Sequence, residues 1–292
     1  MHEGCAAPVV AASPVVGGFA HPHTIMSDTP IPFWHAQTTT DTAELAQRDP
    51  VVVLPLAAIE QHGPHLPLST DLDIGLGVLA EACRRLPTGV PVSVLPPQTS
   101  GSSREHTQFP GTLSLDPELV AETIRQHGAS VAATGIRRVV LFNSHGGNAG
   151  PLDLAALALR EEYGLLVVKA SYFAFSRPAQ VSLPDSEWRH GLHGGALETA
   201  MMLHLRPDLV RKGAIQTFRS LGHDLQASMR RLGPEDEASF AWLASDLNPA
   251  GVTGDATLAT PAMGAQLVGH YGQVLAEVIR DTHTFPLDRL NE

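Results

Sequence analysis

Apolar and polar stretches alternate along the chain, and each change of pattern marks an element. "VVVLPL" (Val51–Leu56) is a continuous aliphatic run, which reads as a short strand buried on both faces. "DLDIGLGVLAEACRR" (71–85) reads as a helix opened by acids, which suit the positive end of a helix dipole. "VSVLPP" (92–97) predicts a second strand. In "SLDPELVAETIRQHGASVAATG", Asp116 is placed to cap a helix, Pro117 to occupy its first position and Gly135 to end it. "RRVVLFN" (137–143) predicts a third strand, "AGPLDLAALALREEYG" a helix stopped by Gly164, and "LLVVKA" (165–170) a fourth strand. Strand and helix in this rhythm imply right-handed crossovers and a parallel sheet with helices on both sides. Beyond Ser171 the pattern loosens. "HGGALETAMMLHLRPDLV" contains a helix ended near Pro207, "AMGAQLVGHYGQVLAEVIRD" is a terminal helix, and 220–254 is irregular.

No repeat of 20 to 50 residues is evident. The first 30 residues are rich in Ala, Val, Gly and Pro but have no basic stretch ahead of their apolar part. We therefore expect a disordered leader over 1–30 and a single domain with insertions over 31–292. Composition narrows the class. At 292 residues, 43% hydrophobic and 17% charged, the chain is an ordinary globular protein long enough for a substantial core. Its net charge of −11 argues against nucleic acid or an anionic membrane as partner. No apolar run approaches the roughly 20 residues of a membrane helix. Cys5 and Cys83 are the only cysteines, too few for a disulfide framework, so a cytoplasmic location is expected.

Parallel sheets place ligands beyond the carboxyl ends of their strands, and the polar clusters fall there. "IEQHGPHLPLSTDLDIG" follows the first strand and carries Glu60, His62, His65, Asp71 and Asp73. In extended chain Glu60 and His62 point to one side, and the Gly-Pro turn can fold Asp71 back toward them. Carboxylate with imidazole suits zinc, manganese or iron(II); the plain alternative is a solvated loop. "LFNSHGGNAG" puts His145 two residues past the third strand, with Asn148 nearby. It lacks the spacing of a dinucleotide turn or of a nucleophile elbow. "WRHGLHGGALETAMM" supplies Trp188, His190, His193 and Glu198, where Glu198 doubles as an acid suited to a helix start. "SGSSREHTQFPGTLSLDP" holds His106 and reads either as a substrate-binding loop or as a long surface connection.

Together "EQHGPHLPLSTD", "EHTQFPGTLSL", "NSHGGN", "HGGALETAMML" and the late "GVTGDATLATPAMG" resemble the creatininase (creatinine amidohydrolase) family, in the expected order and over most of the chain. The resemblance implies a three-layer α/β/α sandwich with a mostly parallel central sheet. It also implies a homo-oligomer, a hexamer, and a centre of two divalent metal ions (Zn, Mn or Fe). Glu60, His62, Asp71 and His145 match metal ligands, with Asp71 bridging, and His193 matches the catalytic histidine. One departure stands out. Creatininases carry a metal-binding glutamate two residues after the strand-end histidine, where this chain has Gly147; Glu198 is the candidate replacement. His106, Trp188 and Asn148 are expected to contact substrate. The implied chemistry is hydrolysis of a C–N bond, in an amide, cyclic amide or short peptide, by a metal-activated water. The alternatives are a peptidase or deformylase of cofactor biosynthesis, and a non-catalytic metal-binding subunit that kept the fold.

Overall fold

The four aliphatic runs become β1 (Val51–Leu56), β2 (Val92–Val94), β3 (Arg138–Asn143) and β4 (Leu166–Ser171), all parallel and in the order β2-β1-β3-β4. The computed structural model describes residues 31–290, so the leader expected over 1–30 lies outside the described residues. Helix α1 (Thr39–Ala46) precedes β1, α2 (Thr70–Arg85) links β1 to β2, α3 (Pro117–Ala132) links β2 to β3, and α4 (Ala149–Tyr163) links β3 to β4. Short α5 (Asp185–His190), α6 (Ala196–Leu205), short α7 (Leu221–Leu225) and α8 (Ala244–Leu247), and the long α9 (Pro261–Thr284) follow.

The period of two in the strands builds three layers. Val51 and Val53 face one core with Val140 and Phe142, packed against apolar residues of α2, α6 and α9. Val52, Leu54 and Leu56 face the other with Val139 and Leu141, packed against Val120 and Ile124 of α3 and Leu152 and Leu159 of α4. Both faces of β1 and β3 are covered, which is why their sequences are continuously apolar rather than alternating. This is the α/β/α sandwich with a parallel central sheet that the rhythm of elements predicts.

Two local differences have physical causes. The second strand ends at Val94 because Pro96 and Pro97 have no N–H to give the ladder; pairing with β1 resumes when the Gln98 N–H donates to the Pro55 carbonyl, 3.0 Å. Asp116 precedes α3 in extended backbone but its side chain makes no cap bond, so Pro117 at the first turn marks that start. The stretch 220–254 is irregular, as expected, apart from α7, α8, one two-residue strand pairing within it and, at its end, Gly254 paired with Phe218.

From β1 the connections run outward in opposite directions, by α2 to β2 and, beyond β3, by α4 to β4. The strand order therefore switches between β1 and β3, and a crevice opens beyond their carboxyl ends. Glu60 and His145 emerge on its two sides.

Candidate metal centre

After Leu56 the chain stays pinned. Ile59 bridges to Leu113, and the Glu60 N–H donates to the Leu68 carbonyl, 3.0 Å. Gly63, with φ of +69°, turns the chain out and back, so that Asp71 returns in the first turn of α2. Across the crevice, Asn143 clamps His145. Its Oδ1 accepts from the His145 N–H at 3.1 Å, and its Nδ2 donates to the His145 carbonyl at 2.8 Å. The third contribution comes from the turn before α6, where His193 bridges to Thr253 and Gly194 has φ of +68°. One turn on, Glu198 accepts from the Gly194 N–H at 2.7 Å. The acid that suits a helix start is also an acid of the site.

Three imidazoles face the carboxylates in one consistent way. His62 donates from Nδ1 to the Glu60 carbonyl (3.2 Å), His145 from Nε2 to the Ser102 carbonyl (2.8 Å), and His193 from Nε2 to the Gln61 carbonyl (2.7 Å). A carbonyl only accepts, so each of these nitrogens carries the hydrogen, and the other nitrogen of a neutral ring presents a lone pair. Those lone pairs converge on the acids. His62 Nε2 lies 3.2 Å from Asp71 Oδ1 and 3.9 Å from Glu198 Oε2. His145 Nδ1 lies 3.2 Å from Asp71 Oδ2 and 3.3 Å from Glu60 Oε1, and His193 Nδ1 lies 3.7 Å from Glu60 Oε1. Glu60 Oε2, Asp71 Oδ2 and His62 Nε2 are fully buried without a hydrogen-bond partner.

The electrostatics call for positive charge. Burial opposes charging His62, yet Asp71, then Glu198 and Glu60, push its imidazole up to about 9. Burial likewise opposes charge on His145, and Glu60 and Asp71 nevertheless hold it well above the usual histidine range. Burial raises the Glu60 carboxyl, but His145, His193 and His106 outweigh it and hold it well below the usual range. His193 is depressed, by burial first and by His62 second. Lone pairs aimed at buried acids, with ring N–H groups tied to carbonyls behind them, are the arrangement of metal-ligating histidines. Among the described residues, three groupings have ligand atoms within 4.8 Å of one another: Glu60, His62, His193; Glu60, Glu105, His145; and His62, Asp71, Glu198. The donor set fits divalent cations.

Comparison with known proteins places the chain. The creatininase family model, described as creatinine amidohydrolase, matches residues 35–279. The chain belongs to the creatininase family. It is 31% identical over 234 residues to the mycofactocin precursor peptide peptidase of Mycolicibacterium smegmatis, covering 78% of this chain and 84% of that protein. It is 34% identical over 183 residues to the creatinine amidohydrolase of Pseudomonas putida, covering 58% and 69%. Among solved structures, a mutant creatininase of Zn–Zn type superposes with a TM-score of 0.70 at 28% identity, covering 88% of this chain and 100% of that one. This creatininase-family chain is thus a metal-dependent hydrolase of carbon–nitrogen bonds. Among the described residues no helix is long and apolar enough to cross a membrane.

The remaining candidates of this creatininase-family site divide. His106 joins the cluster. Its ring stacks on His193 at 4.2 Å, and Gln61 Nε2 donates to its Nδ1 at 2.8 Å, which leaves Nε2–H toward Glu60 Oε1 at 3.5 Å. Asn148 is fully engaged as a brace. It accepts from the Ser102 N–H at 3.0 Å and donates to the Ala57 and Asn143 oxygens at 3.2 and 3.3 Å. Trp188 lies under the Arg177 guanidinium at 4.8 Å and lines a separate surface pocket with Arg189 and Asp236. From the opening cluster, His65 bonds outward to the Gly194 carbonyl and Thr199, and burial lowers it to about 4; Asp73 pairs with Ser69 and Arg206. Sequence reasoning passed over Glu105, Gln61 and Tyr172. Gln61 Nε2 also donates to the Gly251 carbonyl at 2.6 Å, and the Tyr172 hydroxyl donates to Glu198 at 3.2 Å. The first two had a signal, since each sits next in chain to a residue already singled out.

Proposed function

We propose that this protein hydrolyses an amide bond of a short peptide, with Glu60, His62, Asp71, His145 and Glu198 holding two divalent cations and His193 delivering a proton to the departing nitrogen. The observation that carries the reading is the inward turn of the three imidazoles, each fixed from behind by a backbone carbonyl. The two carboxylate oxygens of Asp71 face different histidines, which suits a bridging role. Bound there, divalent cations make water a nucleophile at neutral pH and polarise a carbonyl.

The chain's own residues do the rest. His62, His145 and His193 need no reorganisation to offer their lone pairs, because their tautomers are already set. The leaving nitrogen must be protonated, since an amide anion is a poor leaving group. His193 is the proton carrier because its Nδ1 faces the centre while its Nε2–H anchors the ring to Gln61. Its lowered affinity for protons makes the imidazolium a ready donor once formed. The buried stack of His62, His193 and His106, with ring centroids 4.1 and 4.2 Å apart, keeps bulk water from one side. A peptide substrate is favoured by the peptidase relative, which matches more of the chain than does the creatinine amidohydrolase. A cytoplasmic location and a homo-oligomeric assembly complete the reading.

The test is turnover by purified, metal-loaded protein on a panel of amides, lactams and short peptides, with and without chelator. Metal-dependent cleavage of a peptide is expected. Full metal occupancy with no turnover on any of them would establish the non-catalytic subunit instead.

A further inference from the structure

The residues around position 147 point to an acid that the turn after β3 does not itself supply. A Cβ on Gly147 would overlap the Ser102 carbonyl oxygen, and would sit 2.6 Å from His145 Nε2 and 2.8 Å from Glu105 Oε1. No side chain of any kind fits there while the loop over 101–106 stays in place. That loop is firmly held. Asn148 accepts from the Ser102 N–H at 3.0 Å, and the Ser103 N–H donates to the Ser114 hydroxyl at 3.0 Å. Glycine at 147 is therefore the condition for the loop to close against His145, and the loop brings a carboxylate with it. Glu198 is not among the nearest neighbours of Gly147; it belongs with His62 and Asp71.

Among the described residues the Glu105 carboxylate has a hydrogen bond only from its own backbone N–H. Its Oε1 lies 3.9 Å from His106 Nε2 and 4.0 Å from His145 Nε2, and its side chain is 22% exposed. One carboxylate oxygen each from Glu60 and Glu105 and a ring nitrogen of His145 lie within 4.8 Å of one another, next to the partnerless Glu60 Oε2 and Asp71 Oδ2.

We infer that Glu105 is a ligand of the cation on the Glu60–His145 side, occupying the space that Gly147 leaves open. The assignment rests on the two-cation reading above and makes it specific: His62, Asp71 and Glu198 grip one ion, and Glu60, His145, Asp71 and Glu105 the other. An acid carried by a loop, rather than by the turn after β3, completes the second site.

The test uses the full-length protein, stripped with chelator and titrated with Co(II), with stoichiometry by elemental analysis and affinity from the visible absorption bands. The wild type should bind two equivalents. Glu105→Gln, which keeps the shape, should keep one and bind the other about 100-fold more weakly, at or beyond the upper end of what loss of an outer-shell partner brings. Gly147→Ala, which pushes the loop away without altering the carboxylate, should reproduce that loss. Circular dichroism and thermal melts of the stripped proteins check folding. Two equivalents in Glu105→Gln with affinities within about threefold of wild type would overturn the ligand assignment and leave the two-cation reading standing. Loss of both equivalents in a folded Glu105→Gln would overturn the assignment to one side. A wild-type protein that binds no cation would overturn both.

Discussion

Replacing Asp71 separates a bridged pair of cations from two independent ones. Its Oδ1 and Oδ2 each lie 3.2 Å from a different histidine nitrogen, and the side chain is buried in the first turn of α2. Asp71→Ala removes a ligand from both sites and should leave less than one equivalent of metal; Asp71→Asn keeps one ligating oxygen and should hold at most one. The stability consequence follows from mass action. Free metal at 100 times its dissociation constant stabilises by about 2.7 kcal/mol per site. Two sites give about 5.4 kcal/mol, which for a chain of this size raises the melting temperature by about 10–20 °C. Asp71→Ala should lose nearly all of that increment. The stripped protein should suffer much less. Its removal ends the pairing with His62 and His145, but it also relieves the repulsion from Glu60, and His62 gives up its proton instead of being stranded as an unpaired cation. Thermal melts with and without metal, paired with elemental analysis, read both quantities. An Asp71→Ala protein with two equivalents and the wild-type increment would refute the bridging role.

Other outcomes follow from single features of the site. His193→Gln should retain both cations and lose about 10²- to 10⁴-fold in kcat, the range of general acid–base catalysis; unchanged turnover in steady-state kinetics would remove it from the mechanism. The metal-free protein should become less stable between pH 6.5 and about 9. His62 is raised from 6.5 to about 9 by Asp71 against its burial, so its contribution is complete below pH 6.5 and is lost as pH rises through the folded value. Bound metal replaces that proton, so melts of the loaded protein should not show the decline, and calorimetry in buffers of different ionisation enthalpy should show proton release on binding. Asn148→Ala should destabilise by about 1–3 kcal/mol for each buried group it orphans and weaken metal binding through the Ser102 loop. An effect confined to KM would instead make Asn148 a substrate contact.

How much of this was legible in the sequence depends on distance along the chain. The strands could be read because β1 and β3 are covered on both faces, and burial on both faces writes itself as uninterrupted aliphatics. Glu60 and His62 could be read because extended backbone puts alternate residues on one side, and Asp71 because a helix start and a Gly-Pro turn lie between. Trp188 illustrates the opposite. It stands five residues before His193 and is expected to contact substrate, but α5 ends at His190 and the chain turns at Gly191, so Trp188 keeps company with Arg177 while His193 enters the centre. Proximity in sequence is a poor guide across a helix end.

The Gly147 departure shows the limit most clearly. Read as a string, a glycine where a ligand is expected is a deletion, and the acid of the next motif along the chain, Glu198, is the natural compensation. In space the two belong to different ligand groups. Glu198 is tied to Gly194 and Tyr172 and lies on the His62 side, whereas the room vacated at 147 is filled from 42 residues upstream by a loop whose backbone a Cβ would exclude. A missing side chain can thus be the permission for another segment to approach. That permission is steric, and no spacing rule within the "NSHGGN" segment could have expressed it. The two positions should therefore be coupled: acquiring a side chain at 147 requires the 101–106 loop to move, and Glu105 leaves the centre with it.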